Sequence, residues 1–213
     1  MDKIKEHLEE KEHVIWDWNG TLLDDIDIAV EVIGTLLVEH GLKPITREEY
    51  RGKFCFPIVE YYRRIGFSYE KESFEILAEK FISRYGKAVY ACNIHPGVTD
   101  FLKELRQAGI KQSVLSAAQQ SHLEEMLSHH QLIDYFDHIY GLDDHYAHSK
   151  VERGLQLIRE AGIDPKKSVL IGDTDHDLEV GQKLGVDVIL LADGHQTYER
   201  LNPIHTKVIE KRK

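Results

Sequence analysis

The sequence predicts an α/β protein: a doubly wound parallel sheet with an α-helical segment inserted after its first strand. Two observations carry that expectation. Short aliphatic or β-branched runs alternate with helical patterns of about three turns, the strand-helix-strand rhythm of a parallel sheet covered on both faces. Between residues 24 and 91 the rhythm stops: no convincing strand is read there, and apolar residues recur at helical spacing.

Taken in order, the first strand is expected over 14–16, where Val14, Ile15 and Trp16 end at the polar run Asp17, Trp18, Asn19, Gly20, Thr21. Inside the insert, Ile26, Val30, Ile33 and Leu37 mark one amphipathic helix, and Phe74, Leu77, Phe81 and Tyr85 mark a second. The chain is expected to rejoin the sheet near His95, Pro96 and Gly97, a stiff and flexible combination suited to a hinge. Beyond it, helices are expected over 98–107, 119–129, 150–161 and 175–184, several closed by a glycine such as Gly109, Gly162 or Gly185. Strands are expected over 113–115, 168–171 and 186–191, with a weaker one over 138–140. The resulting division is a Rossmann-like core of residues 1–22 and 92–213 and a helical cap of residues 23–91.

The 213 residues suffice for a sizeable core, and 42% hydrophobic with 30% charged residues is ordinary for a globular chain, so disorder is excluded. With 27 basic against 37 acidic side chains the net charge is −10, a field that repels polyphosphate, and nucleic acid is not an expected partner. The longest apolar run, residues 188–192, is far too short to span a bilayer, so no membrane partner is expected. Residues 1–13 lack the apolar core of a secretory signal, and a cytoplasmic location is expected. Cys55 and Cys92, too few for a disulfide scaffold, are read as buried thiols, and residues 211–213 as a frayed, solvated tail.

In an open parallel sheet, ligands bind beyond the carboxyl ends of the strands. Three expected strand ends carry reactive groups: 17–21 after the first, Ser116 and Ala117 after the second, and Gly172, Asp173, Thr174, Asp175, His176, Asp177 after the third. Carboxylates converging from separate strands repel unless a cation lies between them, and oxygen ligation with several waters suits Mg²⁺. A hydroxyl at a strand-to-helix turn is a ready phosphate seat, and Lys150, opening the next helix, supplies a point charge. Asp175, like Asp24 and Asp25, is read as a helix cap, Trp18 as a residue able to touch substrate, and Asp143, Asp144, His145 and His148 as a solvated loop.

At these positions the chain resembles the haloacid dehalogenase superfamily of phosphohydrolases. The resemblance rests on Asp17-Trp18-Asn19-Gly20-Thr21-Leu22, the helical insert, Ser116, Lys150 and the acidic run from Gly172 to Asp177, in that order along nearly the whole chain. The run Pro96, Gly97, Val98 resembles the branch holding phosphoglycolate phosphatase and phosphoglucomutase. The resemblance implies hydrolysis of a small phosphorylated metabolite through an aspartyl-phosphate on Asp17. It implies that Ser116, Lys150 and the amides after Asp17 hold the phosphoryl oxygens, while Asp17, the Asn19 carbonyl, Asp173 and Asp177 serve Mg²⁺.

One position departs from the family pattern. Its phosphatases usually carry a second Asp two residues after the nucleophile as general acid and base, and here that residue is Asn19. An amide cannot perform that transfer, and loss of a general acid costs about 10² to 10⁴ in rate. Three readings stay open: substrates with good leaving groups, an acid borrowed from the cap with Asp24 or Asp25 as candidates, or a relative of different chemistry. The last includes a phosphonatase-like enzyme, for which Lys53 is the nearest Schiff-base lysine, and a catalytically weak binding protein of the same fold.

Overall fold

A computed structural model of the chain describes residues 1–142 and 149–212. A short helix, α1 (Asp2–Lys5), precedes β1 (His13–Trp16). Next come β2 (Leu23–Asp24), the helices α2 (Ile26–Glu39), α3 (Arg47–Lys53), α4 (Ile58–Arg64) and α5 (Phe74–Ala88), and then β3 (Asn93–Ile94). The chain continues through α6 (Val98–Gln107), β4 (Lys111–Gln119), α7 (Gln120–His129), β5 (His138–Leu142) and α8 (Lys150–Glu160). It closes with β6 (Ser168–Gly172), α9 (Asp175–Leu184), β7 (Asp187–Leu191), α10 (Tyr198–Leu201) and β8 (Val208–Ile209).

A six-stranded parallel sheet runs in the order β5-β4-β1-β6-β7-β8, with β1 deep inside it. The alternation of side chains explains why β1 is apolar throughout. Val14 and Trp16 join Phe101, Leu102, Leu123 and Met126 of α6 and α7 on one face, while Ile15 packs with Leu157 of α8 and Val180 and Leu184 of α9 on the other. No helix among the described residues is long and apolar enough to cross a membrane.

Three elements differ from expectation. The strand expected over 113–115 runs through Lys111–Gln119, because its buried polar groups are satisfied by neighbours: Trp16 Nε1 donates to Gln112 Oε1 at 3.1 Å, Gln112 Nε2 to the Leu102 carbonyl at 2.9 Å, and His13 Nε2 lies 2.8 Å from Ser113 Oγ. The insert holds α3 and α4 besides the two expected helices, and all four share a core containing Ile33, Leu37, Tyr50, Tyr61, Tyr62 and Leu77. The chain leaves and re-enters the sheet domain side by side, since β2 and β3 pair antiparallel, Leu23 opposite Ile94.

Candidate active site

Parallel pairing sets the site. Trp16 lies opposite Val114 on one side and Ile171 on the other, so Asp17, Ser116 and Asp173 follow at the same edge of three adjacent strands. Thr174 opens α9 with a capping box, its hydroxyl accepting from the Asp177 amide. That turn holds Asp177 in place: Oδ2 accepts from the Asp173 and Thr174 amides at 3.1 and 3.0 Å and from Thr174 Oγ1 at 2.7 Å. A second capping box, Ser149 with Glu152, starts α8 and presents Lys150. Its Nζ donates to Asp17 Oδ1 at 2.5 Å and to Asp177 Oδ1 at 2.6 Å.

Asp173 completes the group, with Thr21 Oγ1 donating to Oδ1 at 3.0 Å and the His195 amide to Oδ2 at 2.5 Å. Ligand oxygens of Asp17, Asp173 and Asp177 lie within 4.8 Å of one another. Glycines make the room. A Cβ on Gly20, whose φ is +71°, would stand 2.3 Å from Asp173 Oδ2, and one on Gly194 would stand 2.2 Å from the same oxygen.

Asp17, Asp173 and Asp177 are 7%, 0% and 1% exposed, and Lys150 is 5% exposed. Burial, with Asp177 and Asp173 adding repulsion, pushes the Asp17 carboxyl up to about 8 against the pull of Lys150. For Asp173, burial and Asp177 outweigh His195 and raise the carboxyl to about 6. One lysine therefore undercompensates this cluster. An all-oxygen, carboxylate-rich pocket short of positive charge fits a hard divalent cation such as Mg²⁺.

Behind this cluster lies a polar network that joins the insert to the sheet. Asn19 Nδ2 donates to Asp25 Oδ2 at 3.1 Å and lies 2.7 Å from Tyr85 Oη, which donates to the same Asp25 oxygen at 2.5 Å. Asp25 Oδ1 accepts from the Gly20 amide at 2.7 Å and faces His195 Nε2 at 3.3 Å, while His195 Nδ1 lies 2.9 Å from Tyr50 Oη. Burial opposes charge on both partners, but each secures the other: Asp25 is held below the usual carboxylate range and His195 is raised to about 9, with Asp173 and Asp17 contributing. On the far side of the same loop, Arg51 of α3 donates to the carbonyls of Gly194, Ala192 and Gln196 at 2.7, 2.5 and 3.1 Å.

The structure thus brings Asp17, Lys150, Asp173 and Asp177 together, with the Asn19 backbone two residues from Asp17 and its side chain turned toward Asp25. Ser116 is buried at the same edge, its Oγ accepting from the Ala118 amide at 3.0 Å, and Ala117 is exposed beside it. Several readings need correction. Trp18 is 1% exposed and packs into the core beside His130, so its side chain does not face a substrate. Asp25 makes no side-chain cap to α2; its carboxylate is committed to Gly20, Asn19, Tyr85 and His195. Asp175 does not cap α9, a task taken by Thr174, and instead meets Gln196 and Arg200. Asp24 is part-exposed near His95.

Lys53 is exposed on α3, and Cys55 and Cys92 are buried free thiols. Asp143, Asp144, His145 and His148 lie outside the described residues. Arg212 is 6% exposed rather than part of a frayed tail. Tyr50, Tyr85, His195 and Arg212 are what sequence reasoning missed. A usable signal existed only for His195: Gly194-His195-Gln196 is a polar run just past a fourth apolar strand, at the ligand edge.

A family profile described as haloacid dehalogenase-like hydrolase matches residues 14–191. A phosphoglycolate phosphatase from Aquifex aeolicus is 28% identical over 201 residues, covering 89% of this chain and 87% of that one. A phosphoglycolate phosphatase from Synechococcus elongatus is 23% identical over 188 residues, covering 88% and 87%. Among solved structures, a haloacid dehalogenase-like family hydrolase from Streptococcus pneumoniae superposes with a TM-score of 0.80 at 20% identity, covering 95% of each chain.

Proposed function

The chain belongs to the haloacid dehalogenase-like hydrolases, and from that premise we propose that it is a cytoplasmic, Mg²⁺-dependent phosphatase of small phosphate monoesters. The observation that carries this reading is the buried contact of Lys150 with Asp17 and Asp177 beside Asp173, at the carboxyl edge of adjacent strands. In it, an Asp17 oxygen attacks phosphorus, the ester P–O bond breaks with its electron pair on the departing oxygen, and an aspartyl-phosphate forms; water then attacks phosphorus, the Asp17 O–P bond breaks, and inorganic phosphate leaves with the water's proton released to solvent, restoring the Asp17 carboxylate. Lys150, the Ser116 hydroxyl and the amides following Asp17 hold the phosphoryl oxygens. Asp17, the Asn19 carbonyl and Asp173 would hold Mg²⁺, with Asp177 orienting Lys150 and the turn beside it. A divalent cation held there would supply the positive charge that offsets the charge developing on the phosphoryl oxygens.

Asn19 leaves the leaving oxygen without the family's usual proton donor. Asp25, held ionised by His195, has no proton to lend at neutral pH, which favours substrates whose leaving groups depart as stable anions. The segment 23–91 acts as a cap: with Asp17 only 7% exposed, a phosphate ester reaches it after the Arg51 contacts to the loop 192–196 release. A phosphonatase-like reaction is disfavoured because Lys53 is solvent-exposed, whereas a Schiff-base lysine is desolvated.

The test is a Mg²⁺-dependent screen of parent and Asp17→Asn against small phosphorylated acids, phosphosugars and p-nitrophenyl phosphate. Phosphoglycolate is included because relatives carry that substrate in their names. Turnover lost in Asp17→Asn and in EDTA supports the proposal. Metal-independent turnover, or turnover that survives in the variant, rejects it.

A further inference from the structure

We propose that Arg212 is a positioning residue for the reaction, a clamp that fixes the loop carrying Asp17 and Asn19 from behind; this rests on the phosphatase reading above. Its guanidinium donates to two successive carbonyls of that loop, Gly20 through Nη2 at 2.7 Å and Thr21 through Nη1. The remaining nitrogen, Nε, donates to Asp193 Oδ1 at 2.8 Å, and the Arg212 amide to Asp193 Oδ2 at 3.3 Å. His95 Nε2 lies 3.1 Å from the same Gly20 carbonyl. Only a planar fork with five donors meets two adjacent carbonyls and a carboxylate at once, which a lysine cannot do.

The clamp matters because of what the other side of the loop carries. A trans peptide holds its C=O and N–H pointing oppositely, so fixing the Gly20 and Thr21 carbonyls fixes the orientation of the peptides that follow them. Thr21 Oγ1 then reaches Asp173 Oδ1 at 3.0 Å, and the Leu22 amide, in the same peptide as the Thr21 carbonyl, donates to the Trp18 carbonyl at 2.9 Å, closing the turn that follows Asp17. Gly20 in turn sits in a left-handed conformation against Asp173 and His195 with no room for a side chain. Arg212, from a position 191 residues away from Thr21, therefore holds the nucleophile loop in register with the acidic group on β6. A group held about 1 Å out of place costs on the order of 10² in rate, so this contact bears on turnover more than on binding.

The experiment compares parent, Arg212→Ala and Arg212→Lys in three measurements: steady-state kinetics with Mg²⁺ and p-nitrophenyl phosphate, thermal melting, and amide exchange of residues 18–23 in metal-free protein. Arg212→Ala is expected to lower kcat by about 10- to 100-fold with KM within about threefold. Exchange over 18–23 should accelerate at least tenfold, and added methylguanidinium should slow it and restore part of kcat where methylammonium does not. Arg212→Lys should recover little. Unchanged kcat and exchange in a variant that merely melts earlier would overturn the clamp, as would equal rescue by either amine. If the parent shows no phosphatase turnover, the functional reading fails, while the exchange measurement still decides whether Arg212 holds the loop.

Discussion

Replacing Asn19 by Asp puts a second carboxylate where an amide now donates to Asp25 Oδ2 at 3.1 Å. Two unit charges about 4 Å apart repel by about 4 kcal/mol at an effective dielectric constant of about 20. Protonation caps that cost. A carboxyl of ordinary pKa near 3.9 takes up a proton at about 1.4 kcal/mol per pH unit above that value, so the electrostatic penalty cannot exceed about 1.5 kcal/mol at pH 5 or about 4 kcal/mol at pH 7. The His195 cation beside Asp25 offsets part of it, and loss of the amide hydrogen bond adds about 1 kcal/mol. The sign follows: the variant's raised folded pKa makes its deficit small below pH 4 and larger as pH rises toward the new value. In EDTA, Asn19→Asp should lie about 3 kcal/mol below the parent at pH 7 and about half that at pH 5. For a chain of this size, the pH 7 deficit lowers Tm by about 6 to 12 °C. Parallel melts from pH 4 to 8 check this, and a deficit independent of pH would refute the contact with Asp25. With Mg²⁺, the shared proton gives the leaving oxygen a donor, so the variant should hydrolyse alkyl phosphates about 10²-fold faster and aryl phosphates little faster. Equal alkyl and aryl rates in the parent, with no gain in the variant, would mean that another group already supplies the proton.

Asp17→Asn should reduce turnover by roughly 10⁴ or more while raising the melting temperature in EDTA, because it removes the nucleophile and also a buried carboxylate pushed up to about 8. Saturating Mg²⁺, at about 100 times its dissociation constant, should stabilise the parent by about 2.7 kcal/mol, and Asp173→Ala should remove most of that gain in calorimetry. His195, raised to about 9 by Asp25, contributes stability that is fully present below pH 6.5 and lost as pH rises through 9. Denaturant melts across that window should show a loss on the order of 2–3 kcal/mol that His195→Gln abolishes. Arg51→Ala should loosen the insert, seen as faster proteolysis between 23 and 91 and a larger radius in solution scattering; an unchanged profile would exclude these contacts as the closure.

What the sequence disclosed and what it concealed follow from how each group is satisfied. β1 and β6 were legible because strands covered on both faces must be apolar along their whole length, and Asp17 and Asp173 because polar residues at the ends of such strands stand out. β4 was legible only in its middle. Gln112, just outside the expected strand, looks like a loop residue until Trp16 arrives from the neighbouring strand to bond it. Tyr85 was counted as part of an apolar stripe, which describes its ring and says nothing of the hydroxyl that meets Asp25. Arg212 stands between two lysines and reads as solvated. Burying it is tolerable only because the Gly20 and Thr21 carbonyls and the Asp193 carboxylate converge on one guanidinium, from chain positions 19 and 191 or more residues away. A single-residue pattern cannot encode such a meeting, since each partner is unremarkable alone. The same condition makes the contact specific: remove the guanidinium, and the Thr21 carbonyl beside the nucleophile loses its donor while the Gly20 carbonyl keeps only His95.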